Sequence, residues 1–181
     1  MDRAVPPQLR GLLLNDLLRA AVSTGFDAKD YGHDEVPRWQ RLGWVPAQQQ
    51  VQLDEAIAAA LGLQAVTDIA REAAMLSLQG PLLQPLVNGA LRFLGPRPDA
   101  LFRWAPSFWS VATRGMGQLS IAPLERGGRV TITDVPAHVG SSLAWCAEIR
   151  GRLMSGVDVV GVKGDVVQEP SAVAIVFRMH W

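Results

Sequence analysis

The spacing of apolar residues changes about two-thirds of the way along the chain. Up to residue 114, leucine, valine and isoleucine recur three or four positions apart, which is the spacing of an amphipathic helix. From Gly115 onward, short segments alternate between apolar and polar residues, which is typical of strands. This order predicts an α+β fold, in which an N-terminal helical layer of about five helices packs on a four-stranded antiparallel sheet.

Glycines and prolines divide the first part into its expected helices. The predicted helices are Leu9–Gly25, Pro46–Gly62, Leu63–Leu78, Pro81–Gly95 and a fifth that follows Pro96 and Pro98. Residues 26–43 are polar and rich in turn formers, so we expect a long connection there, which is the best candidate for a functional loop. We expect Trp39, Leu42 and Trp44 to attach the far end of this loop to the core.

The second part predicts a ββαββ module. Its segments are strands Gln118–Leu124 and Arg129–Val135, helix His138–Leu153, and strands Val157–Val167 and Ser171–Trp181. Arg126–Gly127–Gly128 favours a hairpin turn between the first two strands. We therefore expect residues 1–181 to form a single domain, with a helical part at 1–114 and the ββαββ part at 115–181.

Composition narrows the classes of function. Of the 181 residues, 49% are hydrophobic and 19% charged, and the net charge is zero, so the chain lacks the excess of Lys and Arg that nucleic-acid binding requires. Its apolar stretches are shorter than the roughly 20 residues that span a bilayer. One cysteine excludes an internal disulfide. We expect a cytoplasmic protein with no membrane span and no nucleic-acid partner.

The residues with catalytic or ligating chemistry form no recognisable set. His33, His138 and His180 lack the paired spacing of a zinc site, although a haem needs only one axial histidine, which His138 or His180 could supply. Cys146 lies on the apolar face of its predicted helix, where a free cysteine acts as a small hydrophobic residue. Ser141–Ser142 lies close to His138 but lacks the strand-to-helix turn of a nucleophile elbow, so we interpret it as helix capping.

The acidic residues lead to the same interpretation. Asp54 and Glu55 are adjacent on a predicted helix and must point in different directions, so they form no catalytic dyad. The loop acids lack the spacing of a calcium-binding loop; they are Asp27, Asp30, Asp34 and Glu35. We therefore predict that the protein is not an enzyme and needs no metal or other cofactor.

Aromatic residues are the strongest remaining signal, since the chain contains six tryptophans. Trp104, Phe108 and Trp109 lie on one predicted helix and Trp145 lies on another. They either fill the core or form a dimer surface or the walls of an apolar pocket between the helices and the sheet. If a site exists, we expect these four residues to be its walls and Arg103 to bind an acidic group of the ligand.

The layout of the whole chain resembles an uncharacterised bacterial family that is expanded in the myxobacteria. The resemblance is carried by Trp44–Val45–Pro46, Leu53–Asp54–Glu55–Ala56–Ile57, Leu61–Gly62, Leu94–Gly95–Pro96, Leu101–Phe102–Arg103, Pro106, Gly128–Arg129–Val130, Pro136 and the last strand ending at Trp181. That family is similar in layout to the ligand-binding fold of haem nitric-oxide sensors, vinyl-reductase-like sensors and Golgi-tethering subunits. The resemblance implies an α+β ligand-binding fold.

Two departures from those relatives concern their ligands. The haem sensors carry a Tyr-x-Ser-x-Arg signature for the porphyrin propionates, whereas the single tyrosine here, Tyr31, is followed by Gly32 and His33. The vinyl-reductase-like proteins carry cysteines in the last hairpin, and Val157–Trp181 has none.

Two hypotheses of function follow. The first is a non-enzymatic sensing or adaptor domain of bacterial signalling that acts through a protein partner and as a homodimer. The alternative is a receptor that binds an apolar small molecule, such as a lipid tail or a tetrapyrrole, between the helices and the sheet. An internal cavity distinguishes the two, because only the receptor requires one.

Overall fold

Helices dominate the first part of the computed structural model, which describes residues 5–31, 37–80, 83–95 and 97–181. Six helices lie within the described residues up to 114: α1 (Gly11–Ser23), α2 (Ala47–Leu61), α3 (Leu63–Leu78), α4 (Gln84–Leu94), α5 (Pro98–Phe102) and α6 (Ala105–Ala112). A 3₁₀ turn covers Ala28–Tyr31. The α+β class is confirmed.

Glycine and proline explain where these helices stop. Gly62 has a φ of 90°, which separates α2 from α3 at the predicted boundary. The predicted fifth helix is two helices, because Pro106 stands in the first turn of α6. A proline ring clashes with the carbonyl four residues earlier, which here belongs to Phe102, the last residue of α5.

Three very short strands form a sheet that the sequence pattern did not predict. They are β1 (Gln8–Arg10), β2 (Trp44–Pro46) and β3 (Thr113–Arg114), in the order β2-β1-β3. Strands of two or three residues are too short to display an alternating pattern, so periodicity cannot detect them. This sheet joins the start of the chain to the end of α6.

The remaining elements form the ββαββ module. They are β4 (Gln118–Leu124), β5 (Gly127–Thr133), α7 (Ala137–Gly140), α8 (Leu143–Val159), β6 (Asp165–Glu169) and β7 (Ile175–His180). The four strands pair antiparallel in the order β4-β5-β7-β6, with Val130 opposite Phe177. Both of these side chains are fully buried, so this face of the sheet belongs to the core.

The largest boundary errors in this module concern its helix and the strand that follows it. The helix predicted over His138–Leu153 is divided into α7 and α8, and α8 continues to Val159. The strand predicted to begin at Val157 therefore begins only at Asp165. Val157 is an apolar residue that the helix buries, and a valine-rich segment does not reveal whether it is a buried helix end or a strand.

Helix α8 lies between the sheet and the N-terminal helices. Trp145 and Ile149 of α8 belong to one buried cluster with Leu12 of α1 and with Val130 and Phe177 of the sheet. A second cluster is formed by apolar residues of α1, α2 and α3. The main core thus contains residues from both the helical part and the ββαββ part, while the single-domain organisation stays a prediction.

The segment between α1 and α2 is only partly described, because His33, Asp34 and Glu35 lie outside the described residues. Trp39 is attached as expected, since its indole N–H donates to Gln49 Oε1 at 2.7 Å and its ring packs on the core. Trp44 lies between the guanidinium groups of Arg10 and Arg114. Leu42 is 58% exposed, so its predicted attachment is wrong.

Within the described ranges, no helix combines the length and the apolar character that a bilayer crossing requires.

Candidate ligand-binding cavity

A cavity of about 170 Å³, partly open to the surface, lies among the helices and reaches the sheet. Its walls come from β1, α1, α2, α3, α5, α6, β3, β4 and α8. Its largest apolar lining residues are Leu9, Leu13, Leu78, Leu83, Leu101, Phe102, Phe108, Trp109, Met116, Leu119, Trp145, Ile149 and Leu153. A cavity with such walls offers dispersion contacts to an apolar molecule.

Three of the five residues predicted for a site line this cavity: Phe108, Trp109 and Trp145. Trp145 is only 2% exposed, and the indole N–H of Trp109 donates to the Gly117 carbonyl at 3.2 Å. Trp104 is not among the lining residues and packs instead on a small cluster with Val87 and Leu101. Arg103 is exposed and also lies outside the lining. A ligand-binding role for any of the five stays a prediction.

Two polar pairs meet at one wall of the cavity, and each pair joins residues four positions apart on a helix. On α2, the Gln50 amide nitrogen donates to both carboxylate oxygens of Asp54, at 3.1 and 3.2 Å. On α8, the Arg152 guanidinium is bonded to the Glu148 carboxylate. Gln50, Asp54 and Glu148 are fully or almost fully buried. Gln50, Glu148 and Arg152 line the cavity, and the buried Asp54 lies behind Gln50.

Burial governs the titration of these acids. It raises the pKa of Asp54 well above its usual range, and the nearby Glu148 carboxylate raises it further, while Arg152 and Gln50 act in the opposite direction. Burial also raises the pKa of Glu148 against the opposing effect of Arg152. The physical cause is the same for both groups, since a carboxylate loses its hydration inside the protein.

Most polar side chains of the lining are already hydrogen-bonded. Ser77 Oγ donates to Asp16 Oδ2, Thr113 Oγ1 to the Trp109 carbonyl and Ser155 Oγ to the Arg152 carbonyl, all at 2.7 to 2.8 Å. Two atoms of the lining residues differ: Gln50 Oε1 and Arg152 Nη2 are buried and have no hydrogen-bond partner among the described residues. One is an acceptor and the other a donor.

A second depression, of about 300 Å³, has a larger volume but a different character. Leu63, Leu143 and Val167 line it, and each is between 45% and 69% exposed, so it is a surface groove. Cys146 forms part of its wall. Burial raises the pKa of the Cys146 thiol, which opposes formation of the thiolate that a nucleophile needs.

Two sequence predictions are confirmed: Ser142 caps a helix, and Asp54 and Glu55 point in different directions. Ser142 is the N-cap of α8, since its Oγ accepts from the Trp145 backbone N–H at 3.3 Å. The same hydroxyl donates to Glu55 Oε1 at 3.1 Å, so Glu55 points away from the buried Asp54. Neither pair forms a nucleophile and base.

The chain superposes on solved haem-binding structures over nearly its whole length. For an H-NOX (haem-NO-binding) protein from K. algicida in the unliganded Fe(II) state, the TM-score is 0.61 at 10% identity, with 95% of this chain and 96% of that chain covered. An H-NOX protein from S. oneidensis in the Fe(II)NO ligation state gives 0.59 at 10% identity, with 95% and 98% covered. A structure concerned with protein-induced distortion of a haem porphyrin gives 0.63 at 9% identity, with 96% and 100% covered.

The chain has the H-NOX fold. This confirms the resemblance to haem nitric-oxide sensors at the level of the fold. No family model matches the chain, and no curated protein matches its sequence.

The residues of the cavity do not fit the haem that an H-NOX fold implies. Haem iron is held by His, Cys or Tyr, or by Met together with His, and among the described residues no His, Cys or Tyr lines this cavity. His138 and His180 are exposed, on α7 and β7, and His33 lies outside the described residues. The volume of about 170 Å³ is also below the roughly 300–1,000 Å³ of pockets that hold drug-sized ligands. A porphyrin is at least of that size.

Gln50, Asp54, Glu148 and Arg152 were missed as candidate residues by the sequence reasoning. A signal was present, because Gln50 with Asp54 and Glu148 with Arg152 are both pairs at i and i+4. Such pairs normally lie on the solvated face of a helix. Only the packing of α2 against α8 shows that these two lie inside.

Proposed function

We propose that this protein is a non-enzymatic sensor domain that binds a small apolar molecule in this cavity, without haem. One observation carries the proposal, namely the cavity of about 170 Å³ lined by aromatic and aliphatic side chains. The sensing role is supported by the H-NOX fold alone, and a fold by itself does not specify a function. The choice of a small apolar ligand rests on the volume and the lining of the cavity.

The volume limits the size of the ligand. An engineered cavity of about 150 Å³ in another protein, lined by Leu, Ile and Phe, binds benzene or xenon. The cavity here is similar in volume and in lining, so a monocyclic or short branched molecule fits. A tetrapyrrole is too large, and so is a full lipid tail, which narrows the receptor hypothesis drawn from the sequence.

A binding role is favoured over a catalytic one by the chemistry of the lining. The Ser155 hydroxyl donates to a backbone carbonyl, which is not a general base, and the Ser77 hydroxyl donates to Asp16, whose carboxylate also pairs with Arg41 at 3.8 Å. Action through a protein partner, a homodimeric state and a cytoplasmic location stay predictions.

Benzene binding to the purified protein tests the proposal, followed as chemical-shift changes in two-dimensional NMR spectra. We expect saturable shifts in amides of α6 and α8. Ala112→Leu, which places a larger side chain on the cavity wall, should abolish the shifts, because Ala112 lines the cavity and is buried. Ala60→Leu on the exposed face of α2 is the matched control and should leave binding unchanged.

A haem titration of the same sample completes the test. We expect added hemin to give the absorbance spectrum of free hemin, with no shift of the Soret band. A stoichiometric Soret shift, or benzene shifts that persist in Ala112→Leu, would contradict the proposal.

A further inference from the structure

The two edge strands of the four-stranded sheet differ in how they are protected. The order β4-β5-β7-β6 places β4 and β6 at the edges, where a row of backbone N–H and C=O groups has no neighbouring strand. Such a row pairs readily with a strand of another molecule. Proteins prevent this with charged side chains, prolines or very short edge strands. An edge that lacks these features is therefore a candidate interface.

Side chains close the edge at β6. Val166 lies opposite Met179 of β7, and the Met179 carbonyl points to β5, because a Cβ on Gly127 of β5 would collide with it. Val166 therefore directs its own N–H and C=O away from β7, towards the edge. Both groups are occupied, since the N–H donates to Asp165 Oδ1 and the C=O accepts from Arg150 Nε, each at 2.7 Å. A strand that approaches β6 finds these groups already bonded.

The edge at β4 is open. Ser120 lies opposite Thr131 of β5 and its Oγ donates to the Thr131 carbonyl at 3.4 Å, so this carbonyl points to β4. A Cβ on Gly117 would collide with the next carbonyl on that side of β5. The backbone groups of Ser120 thus face β5, and those of Leu119 and Ile121 face outward. Among the described residues, no group bonds to the backbone N–H or C=O of Leu119 and Ile121.

The side chains of β4 leave its edge unprotected as well. Gln118–Leu124 contains no charged residue, and each of its residues is half-buried or exposed. The strand has seven residues, against five in β6. Pro123 lacks an N–H, but it stands near the end of the strand and blocks pairing only there. The centre of β4 is therefore free to accept another strand.

A second copy of β4 matches this row of groups when the two strands run antiparallel about Ser120. Leu119 of each copy then lies opposite Ile121 of the other, and each pair exchanges both of its N–H···O=C bonds. The neighbouring registers are poorer. A pairing centred on Ile121 places Pro123, which has no N–H, opposite Leu119. A pairing centred on Leu119 requires the carbonyl of Gly117, which already accepts an indole N–H at 3.2 Å.

We propose that the protein forms a homodimer in which the β4 edges of two copies pair antiparallel, with the two Ser120 residues facing each other at the two-fold axis. The contact joins two four-stranded sheets into one continuous sheet. The interface is small, so we expect a dissociation constant in the micromolar range. The pairing does not require a ligand in the cavity, so it stands or falls separately from the proposed function.

Sedimentation velocity of the full chain over a range of concentrations tests the dimer. We expect the dimer fraction of the wild-type protein to rise with concentration. Ser120→Lys places two ammonium groups opposite each other, and Ser120→Glu places two carboxylates there. Each variant should weaken the dimer about tenfold or more, since like charges at close range repel. Ser120 is exposed, so we expect the far-ultraviolet circular dichroism spectrum to be unchanged.

Mixing the two variants tests the position of the two-fold axis. An equimolar mixture of the Ser120→Lys and Ser120→Glu proteins should restore the dimer, because opposite charges then face each other. Ala122→Lys is the matched control. Ala122 is exposed on the same face of β4 as Ser120, but in the proposed register it lies opposite Gln118 of the second copy. This variant should dimerise as the wild type does.

Each failure has a distinct meaning. A wild-type protein that stays monomeric at every concentration would overturn the proposal and leave the open edge to a strand of another protein. A dimer that persists in both Ser120 variants would place the interface elsewhere on the molecule. A mixture that stays monomeric would exclude a two-fold axis at Ser120. None of these results changes the expected binding of benzene.

Discussion

At the scale of single residues, the chain contains the same Gln–Asp pair twice in opposite environments. Gln50 donates to Asp54 inside the protein, and Gln64 donates to Asp68 on the exposed surface of α3 at 3.0 Å. Both pairs have i, i+4 spacing. The buried pair is subject to strong desolvation, so Asp54 is expected to connect protonation with folding.

We predict that Asp54→Asn stabilises the protein at neutral pH and flattens its pH dependence. Burial and Glu148 raise the pKa of Asp54 in the folded state, so its contribution is fully present below the unfolded pKa of about 4 and is lost as the pH rises through the folded value. Asparagine cannot ionise, so the variant avoids that loss. The free energy of unfolding, measured in urea between about pH 4.5 and 8, should therefore fall less steeply with rising pH.

The groups around Asp54 determine how much of the pH dependence of stability the substitution removes. Glu148 and Glu55 raise the pKa of Asp54 further, while Arg152 and Gln50 lower it. Burial is the main cause of the raised pKa of Tyr31, and the Asp54 carboxylate adds to it. Glu148 also has a raised pKa, so some slope of the same sign remains in the variant. Asp68→Asn is the matched control and should leave the slope unchanged. A steeper slope in Asp54→Asn would refute the assignment.

At the scale of elements, the crossing of α3 and α8 depends on a missing side chain. A Cβ at Gly151 of α8 would lie 2.1 Å from the backbone oxygen of Thr67 in α3. Thr67 Oγ1 also donates to the Ala147 carbonyl at 3.1 Å, and Arg71 of α3 forms an ion pair with Asp158 of α8. Glycine therefore permits a backbone approach that places both helices at the cavity.

We predict that Gly151→Ala destabilises the protein by about 1–3 kcal/mol, because the helices must separate to admit the methyl group. Gly89→Ala in α4 is the matched control, since a Cβ there meets no atom within 4 Å. It should be neutral or stabilising by up to about 1 kcal/mol, because alanine favours the helix. Urea unfolding of the two variants measures both effects. Equal effects of the two substitutions would show that the crossing tolerates a Cβ.

At the scale of the whole molecule, the main core joins the two parts of the chain. Leu9 and Leu14 of the helical part share a buried cluster with Ile132, Phe177 and other residues of the ββαββ part. The ring of Phe102 also stacks on Trp181, with centroids 5.4 Å apart and planes 8° from parallel. Each part therefore buries some of its apolar residues against the other.

We predict that residues 1–181 unfold in a single cooperative transition. Far-ultraviolet circular dichroism follows mainly the helices, and tryptophan fluorescence follows side chains of both parts, so the two thermal curves should coincide. Trp181→Ala should lower the shared midpoint by a few degrees, since an aromatic pair contributes about 0.5–1.5 kcal/mol beyond its buried area. Two separated transitions would instead identify 1–114 and 115–181 as independent domains.

The sequence by itself determined those helices and strands that patterns of neighbouring residues specify. The apolar period changes at Gly115, and the α+β class follows from that change alone. The α2–α3 boundary at Gly62 and strand β4 were predictable for the same reason, since conformational preference and alternation act over a few neighbouring residues. The aromatic walls Phe108, Trp109 and Trp145 were also recognisable, because aromatic side chains are buried wherever the fold permits.

Only the tertiary structure decided which residues meet across the core. The short strands β1, β2 and β3 form because three distant segments come together, and no local period records that. Arg103 and Trp104 lie between α5 and α6, which both contribute to the cavity wall, yet neither residue lines the cavity. Gln50, Asp54, Glu148 and Arg152 had the pattern of surface pairs. The packing of α2 and α8 made them interior, because burial is a property of neighbouring elements and not of sequence spacing.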